Sequence, residues 1–218
     1  MKLAEYLKVE GQRVKVIERG PRVRSSFWPK LLALAPWLEL EFERDTSLES
    51  RCVELFGEHN HGRMRFVGDV EDQQILSLVE TLRALACGRP QWDADDTPTL
   101  VGELERGVDL DVYVSQLCPY CVKVSAAALR FATIAAGVSV RILRADICGL
   151  PEQVHTLPTV LADGEIVAQG AASEQTLIRQ IATYQRAISP SSGVNLRSTM
   201  PVAKAPRANQ RRRRSTAA

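Results

Sequence analysis

The spacing of apolar residues along the chain switches repeatedly between two periods. Strict alternation marks RVKVIERG (13–20) and LDVYVSQL (110–117), and predicts a β-strand that leads into a helical stretch in each case. The later strand is expected to run to Gln116 or Leu117. LELEFERD (38–45) and SVRILRAD (139–146) supply second strands. RCVELF with RMRFVG, and PTVLA with EIVAQG, then read as two hairpins. The later hairpin has Asp163 and Gly164 at its turn, a strong local signal. EDQQILSLVETLRAL (71–85) and SEQTLIRQIATYQRA (173–187) return to helical spacing. The order β-α-β-β-β-α therefore occurs twice.

A short helix precedes each half: KLAEYLKV at the start, and PTLVGELERG from Pro98, where Thr97 is the expected N-cap. Between the halves, GRPQWDADDTP is polar and turn-rich. These signals predict two α/β units, each a central mixed sheet with flanking helices, over residues 1–90 and 98–187, with a linker at 91–97 and a tail at 188–218.

Composition changes this picture mainly at the tail. The chain has 218 residues, 45% hydrophobic and 25% charged, which is ordinary for a soluble protein. The opening residues contain no continuous apolar stretch of the secretory kind. FWPKLLALAPWLEL (27–40) is broken by Pro29, Lys30 and Pro36, and falls short of the roughly 20 residues that a membrane span requires. A cytoplasmic protein is expected. The net charge of +2 is unevenly placed: from Ala187 onward there are seven basic residues and no acidic one, leaving 21 basic against 26 acidic residues in the body. The tail, rich in Ser, Pro, Ala and Arg and free of aromatics, is expected to be disordered. Its Arg211–Arg212–Arg213–Arg214 run is a candidate contact for an acidic partner, anionic lipid or nucleic acid.

Five cysteines, Cys52, Cys87, Cys118, Cys121 and Cys148, are too few and odd in number for a secreted disulfide framework. The informative pair is in SQLCPYCVKV (115–124), at a strand-to-helix junction. A thiol at a helix N-terminus meets unpaired N–H groups and the positive end of the dipole, so Cys118 ionises more readily than a free cysteine. Thiolate is the attacking species in disulfide exchange. Cys121, one turn on, lies on nearly the same face and is placed to displace whatever Cys118 captures. Pro119 fixes the turn without losing an intrahelical bond. Further along, TLPTV (156–160) suits a cis Leu157–Pro158 peptide that offers Leu157 backbone to a substrate chain.

CPYC with a downstream TLP and a β-β-α ending resembles the thioredoxin and glutaredoxin superfamily. The tandem layout, through RMRFVGDVEDQQILSLVETLRALACGRP and LDVYVSQLCPYC, resembles the N-terminal domain of the F component of alkyl hydroperoxide reductase and the protein disulfide oxidoreductases. That resemblance implies Cys118 as nucleophile, Cys121 as resolving thiol, Pro158 as the cis-proline and a redox-active Cys118–Cys121 disulfide with no bound cofactor. Pro119, Tyr120, Thr156, Leu157 and Pro158 are the implied substrate-binding residues, and Asp111 a candidate for proton transfer. The implied substrate is a disulfide-bearing protein, with a peroxiredoxin as one candidate. The implied reductant is a thioredoxin reductase-like flavoprotein or glutathione. The first half has ERGPRVRSS where a CxxC would stand and is expected to be a scaffold. The lysine and GG-x-x-D-like segment that serve glutathione in glutaredoxins are replaced by SQL and QGAASE, with only Gly170 and Ser173 or Glu174 as substitutes.

The rival readings are a glutathione-dependent glutaredoxin and a non-enzymatic binding or assembly module. CPYC has no second CxxC and no paired-His spacing beside it, so a dithiol is preferred to a metal site. His155 and Lys123 read as solvent-facing. Cys148 is expected to pack as a small apolar residue, as are Cys52 and Cys87, and Trp28, Trp37 and Phe66 as core.

Overall fold

A computed structural model describes residues 3–21, 27–58, 62–70, 73–104, 106–135 and 137–188. The first half comprises α1 (Leu3–Leu7), β1 (Val14–Gly20), α2 (Phe27–Leu34), β2 (Leu38–Arg44), β3 (Cys52–Gly57), β4 (Met64–Val67) and α3 (Gln74–Cys87). The second comprises α4 (Thr97–Gly102), β5 (Val108–Val114), α5 (Pro119–Ile134), β6 (Val138–Arg144), α6 (Ala145–Cys148), β7 (Thr159–Ala162), β8 (Glu165–Gln169) and α7 (Glu174–Ile188). Periodicity thus gave the element order in both halves and missed only α6, which it read as the end of a strand and a loop.

The eight strands among the described residues form one sheet in the order β2-β1-β3-β4-β6-β5-β7-β8. Within each half the first strand pairs parallel to the second and antiparallel to the third, and the third pairs antiparallel to the fourth. The halves meet where β4 runs parallel to β6, from Met64 opposite Val140 to Val67 opposite Leu143. Alternation cannot reveal this join, because strand pairing uses backbone N–H and C=O groups that every sequence carries. Joining the arrays also removes two free edges that would otherwise invite other chains.

One face of the sheet carries the core. Helices α3 and α5 pack on each other, as do α5 and α7, and a single buried cluster runs through both halves. Trp28, Phe66 and Phe131 are fully buried within it. Trp37 is also buried, and its indole Nε1 donates to the Leu7 carbonyl at 3.1 Å. The opposite face carries rows of charge. Lys15 pairs with Glu41, Arg19 with Glu43 and Glu54, Arg65 with Glu54, and Arg141 with Asp111. The exposed pairs among them, such as Lys15 with Glu41, contribute little each, about 0–1 kcal/mol, and the rows account for the polar phase of the alternating strands.

The segment between the halves is packed. Trp92 stacks on Phe131 with ring centroids 6.4 Å apart. The Asp93 N–H donates to Glu174 Oε1 at 3.1 Å, while Arg130 Nη1 donates to Glu174 Oε2 at 2.7 Å and to Asp93 Oδ1 at 2.9 Å. Arg130 Nη2 also reaches Glu80 on α3, at 3.3 Å. The Glu174 side chain is buried, so removing Arg130 would strand a carboxylate at a cost of about 3–5 kcal/mol.

Boundaries differ from expectation at three places. Asp96, not Thr97, is the N-cap of α4; Thr97 is a buried residue of the first turn, and the helix stops at Gly102. Helix α3 starts at Gln74, and Gly88 ends it in the left-handed conformation (φ 68°) that lets the last carbonyls be capped. The hairpin turn has the positive φ expected of its residues, 49° at Asp163 and 91° at Gly164. The expectations about the tail, and those about residues 22–26 of ERGPRVRSS, lie outside the described residues. Among the described residues no helix is long and apolar enough to cross a membrane.

Candidate active site

Strand β5 ends at Val114, before Gln116 and Leu117, because Ser115 to Leu117 turn the chain onto the helix face of the sheet. Leu117 is left 83% exposed. Cys118 follows in an extended conformation (φ −95°, ψ 108°) as the N-cap of α5, and Pro119 is the first helical residue. Cysteine here does what serine or aspartate usually does: the Cys121 N–H donates to its sulfur at 3.2 Å. Cys118 and Cys121 are closed as a disulfide with Cα atoms 5.3 Å apart. Cys121 is fully buried, Cys118 only half-buried, and Pro119 and Tyr120 are exposed. Solvent therefore meets one sulfur of the pair.

The facing wall is the segment before β7. The Leu157–Pro158 peptide is cis, and the Leu157 carbonyl oxygen lies 4.0 Å from Cys118 Sγ. Two bonds pin this segment: Thr159 Oγ1 donates to the Thr156 carbonyl at 2.7 Å, and the Gly170 N–H to the Pro158 carbonyl at 2.7 Å. Pro158 is buried, Leu157 half-buried and Thr156 exposed. Cys118, Pro119, Tyr120, Leu157 and Pro158 thus share one pole of the sheet.

Asp111 is not brought to them. It is in register with Arg141 across β5 and β6, and that guanidinium holds both its oxygens at 2.6 Å on the open face, away from α5. His155 and Lys123 are exposed, as expected. The stand-ins for a glutathione site are already engaged. Ser173 Oγ accepts the Thr176 N–H at 3.1 Å, and Glu174 is locked in the Arg130 pair.

The remaining cysteines divide. Cys52 is buried, and burial pushes its thiol up to about 11. Cys87 is half-buried rather than buried. Cys148 is exposed, against expectation, because α6 contributes no residue to the core; partial desolvation still raises its thiol above the ordinary value. Among the described residues no group of three or more His, Cys, Asp or Glu side chains is placed to hold a metal ion.

Sequence reasoning missed a second cluster at the same pole, in the first half. Glu18 is fully buried on β1 with Arg51 Nε 3.2 Å from its Oε1, and Arg51 Nη1 also lies 3.4 Å from Asp69 Oδ1. The signal was available: Val14, Val16 and Glu18 share one phase of an alternating strand, so a carboxylate stands where an apolar side chain is due.

No protein-family model matches the chain, and no curated protein matches it. Solved structures do. The alkylhydroperoxide reductase protein AhpF from Enterococcus faecalis aligns with a TM-score of 0.69 and 19% identity over 81% of this chain and 94% of that one. The N-terminal domain of the same protein gives 0.66 and 18%, over 81% and 94%. A protein disulfide oxidoreductase from Aeropyrum pernix gives 0.61 and 18%, over 85% and 91%. At these identities the likeness shows the fold, which is two thioredoxin-like units in tandem.

Proposed function

We propose that the chain is a thiol–disulfide oxidoreductase that reduces protein disulfides through Cys118 and Cys121. One observation carries the reading: a half-exposed sulfur caps a helix and faces a cis-proline segment, with its disulfide partner buried behind it. In the reduced protein the Cys121 N–H and the start of α5 favour the thiolate of Cys118. That thiolate attacks one sulfur of the substrate disulfide, forms a mixed disulfide and expels the other sulfur as a thiolate, which takes up a proton. Cys121 then loses its proton and attacks Cys118 Sγ, releasing the second substrate thiol. Two electrons and two protons pass to the substrate, and the Cys118–Cys121 disulfide is left, as it stands in this structure.

An external dithiol must then reduce the pair. A flavoprotein of the thioredoxin reductase kind suits this step better than glutathione, since Ser173 and Glu174 are already engaged. The fold shared with an alkylhydroperoxide reductase component makes a peroxiredoxin a candidate substrate. Asp111, held by Arg141, has no part in the proton transfers of this reading.

The test is trapping. Cys121→Ser, reduced and offered an oxidised peroxiredoxin or insulin, accumulates a covalent adduct through Cys118 that dithiothreitol releases. If the adduct forms equally in Cys118→Ser, the assignment of the attacking sulfur is wrong.

A further inference from the structure

Helix α6 follows β6 at the pole that carries the dithiol, and it has no buried residue of its own. Something other than the core must fix it. Gly68, which follows β4 in the first half, lies so close that a Cβ there would come within 2.8 Å of both Arg144 Cγ and Ile147 Cδ1. Its φ of +106° also belongs to glycine. Arg144, the last residue of β6, is buried; its Nη1 donates to the Asp69 carbonyl at 3.2 Å. Its Nε and Nη2 donate to Asp146 Oδ1 and Oδ2 at 2.8 and 2.7 Å. Helix α6 is thus seated on first-half backbone and clamped to it through one arginine.

What α6 carries gives the seat its consequence. The chain leaves it through residues 149–157 and arrives at the cis Leu157–Pro158 peptide beside Cys118. Ile147 and Leu150 on this path are 39% and 45% exposed. Val114 and Arg144 are paired at adjacent strand ends, so the two segments that follow leave the sheet side by side. The neighbouring segment presents Leu117 at 83% and Tyr120 at 56% exposure. Half of the large apolar side chains exposed among the described residues therefore lie on the two segments that leave this end of the sheet, one of which carries the half-exposed Cys118. Concentrated apolar exposure of this kind marks contact with another macromolecule.

We infer that the first half, which has no dithiol at this pole, selects which disulfides are reduced: Gly68 and Arg144 are positioning residues that hold α6, so that Ile147 and Leu150 join Leu117 and Tyr120 in engaging a polypeptide. The partner is a protein whose disulfide lies in an apolar segment able to extend along Leu157. A small disulfide needs only the sulfur and is indifferent to the apolar side chains. This inference rests on Cys118 being the attacking sulfur.

The test compares a large and a small disulfide. Pre-reduced full-length protein reacts with insulin or with bis(2-hydroxyethyl) disulfide, is quenched in acid, and its remaining Cys118 and Cys121 thiols are counted by mass spectrometry. Gly68→Ala and Ile147→Ser should each slow the insulin reaction about ten-fold, equivalent to one lost contact in the transition state, with the small disulfide unchanged to within about two-fold. Ile147→Ser alters an exposed side chain and keeps the test alive if Gly68→Ala fails to fold. Equal loss on both disulfides, or an unchanged insulin rate in Ile147→Ser, overturns the inference. A wild-type protein inert toward both sinks the dithiol reading itself.

Discussion

The two halves can be laid on each other through their hydrogen bonds alone. Arg19 pairs with Cys52 and Cys52 with Val67 in the first; Tyr113 pairs with Thr159 and Thr159 with Gln169 in the second. One residue before the third strand and one after the fourth, the Gly68 N–H donates to the Arg51 carbonyl at 2.8 Å, and the Gly170 N–H to the Pro158 carbonyl at 2.7 Å. Arg51 therefore stands where Pro158 stands, and Glu18 where Val112 stands. The connection that spans residues 145–158 in the second half, α6 included, is only residues 45–51 in the first. The backbone frame survives in both, because apolar alternation and strand pairing specify it. The halves differ in a few substituents at one pole, where an ion pair has taken the place of a proline and a valine. One backbone frame thus carries a cysteine pair in one half and a buried ion pair in the other.

The contrast is broken most severely by removing sulfur. Cys118→Ser should lower insulin reduction by at least about a thousand-fold, as expected for loss of the attacking atom. Cys52→Ser, at the position that matches Thr159, should leave the rate within about two-fold, because a buried and protonated thiol takes no part in exchange. Both are read in one insulin-turbidity assay. If Cys52→Ser falls as far as Cys118→Ser, the first half is not chemically silent.

Next in size is the ion pair that replaces the proline. Arg51→Met removes the guanidinium beside the buried Glu18 carboxylate and should cost about 3 kcal/mol in urea unfolding, since deleting one member of a buried ion pair is strongly destabilising. Adding Glu18→Val, which installs the second half's residue type, should recover most of that loss, because an apolar pair of similar volume replaces a buried ion pair at little net cost. A double variant no more stable than Arg51→Met would show that Glu18 has a role beyond neutralising Arg51.

Legibility followed the same division. The strands, the three long helices α3, α5 and α7, and the hairpin turn at Asp163 and Gly164 were readable, since each is written in local periodicity or turn chemistry. The placement of Cys118, Cys121 and Pro158 at one end of the sheet was readable because cysteine spacing and an X-Pro bond limit what the chain can do nearby. The join between β4 and β6 was not, for it depends on backbone groups common to all residues. Nor was the pairing of Asp111 with Arg141, which needs the register of two strands separated by a whole helix. Helix α6 escaped because four residues are too few to show a period. Cys148 was misplaced with it: an isolated cysteine reads as a packed one until the element beneath it is known to lie outside the core.

The smallest effect sharpens the comparison at a single row of the sheet, Cys52 against Thr159. Burial raises the Cys52 thiol to about 11, against roughly 8.5 for an unfolded cysteine. The folded state therefore keeps its proton after the unfolded state has lost it. The stability this supplies is fully present below pH 8.5 and is lost as pH rises toward 11. Cys52→Thr, which makes the two rows alike, should flatten that loss by about 3 kcal/mol between these limits, measured as the difference from wild type in unfolding free energy at each pH. Iodoacetamide gives the same answer kinetically: in a Cys118→Ser, Cys121→Ser background at pH 8, exposed Cys148 is alkylated first and Cys52 only on unfolding. Rapid native-state labelling of Cys52 at that pH would mean that the first-half pole is open to solvent, and that its resemblance to the second half extends beyond the backbone.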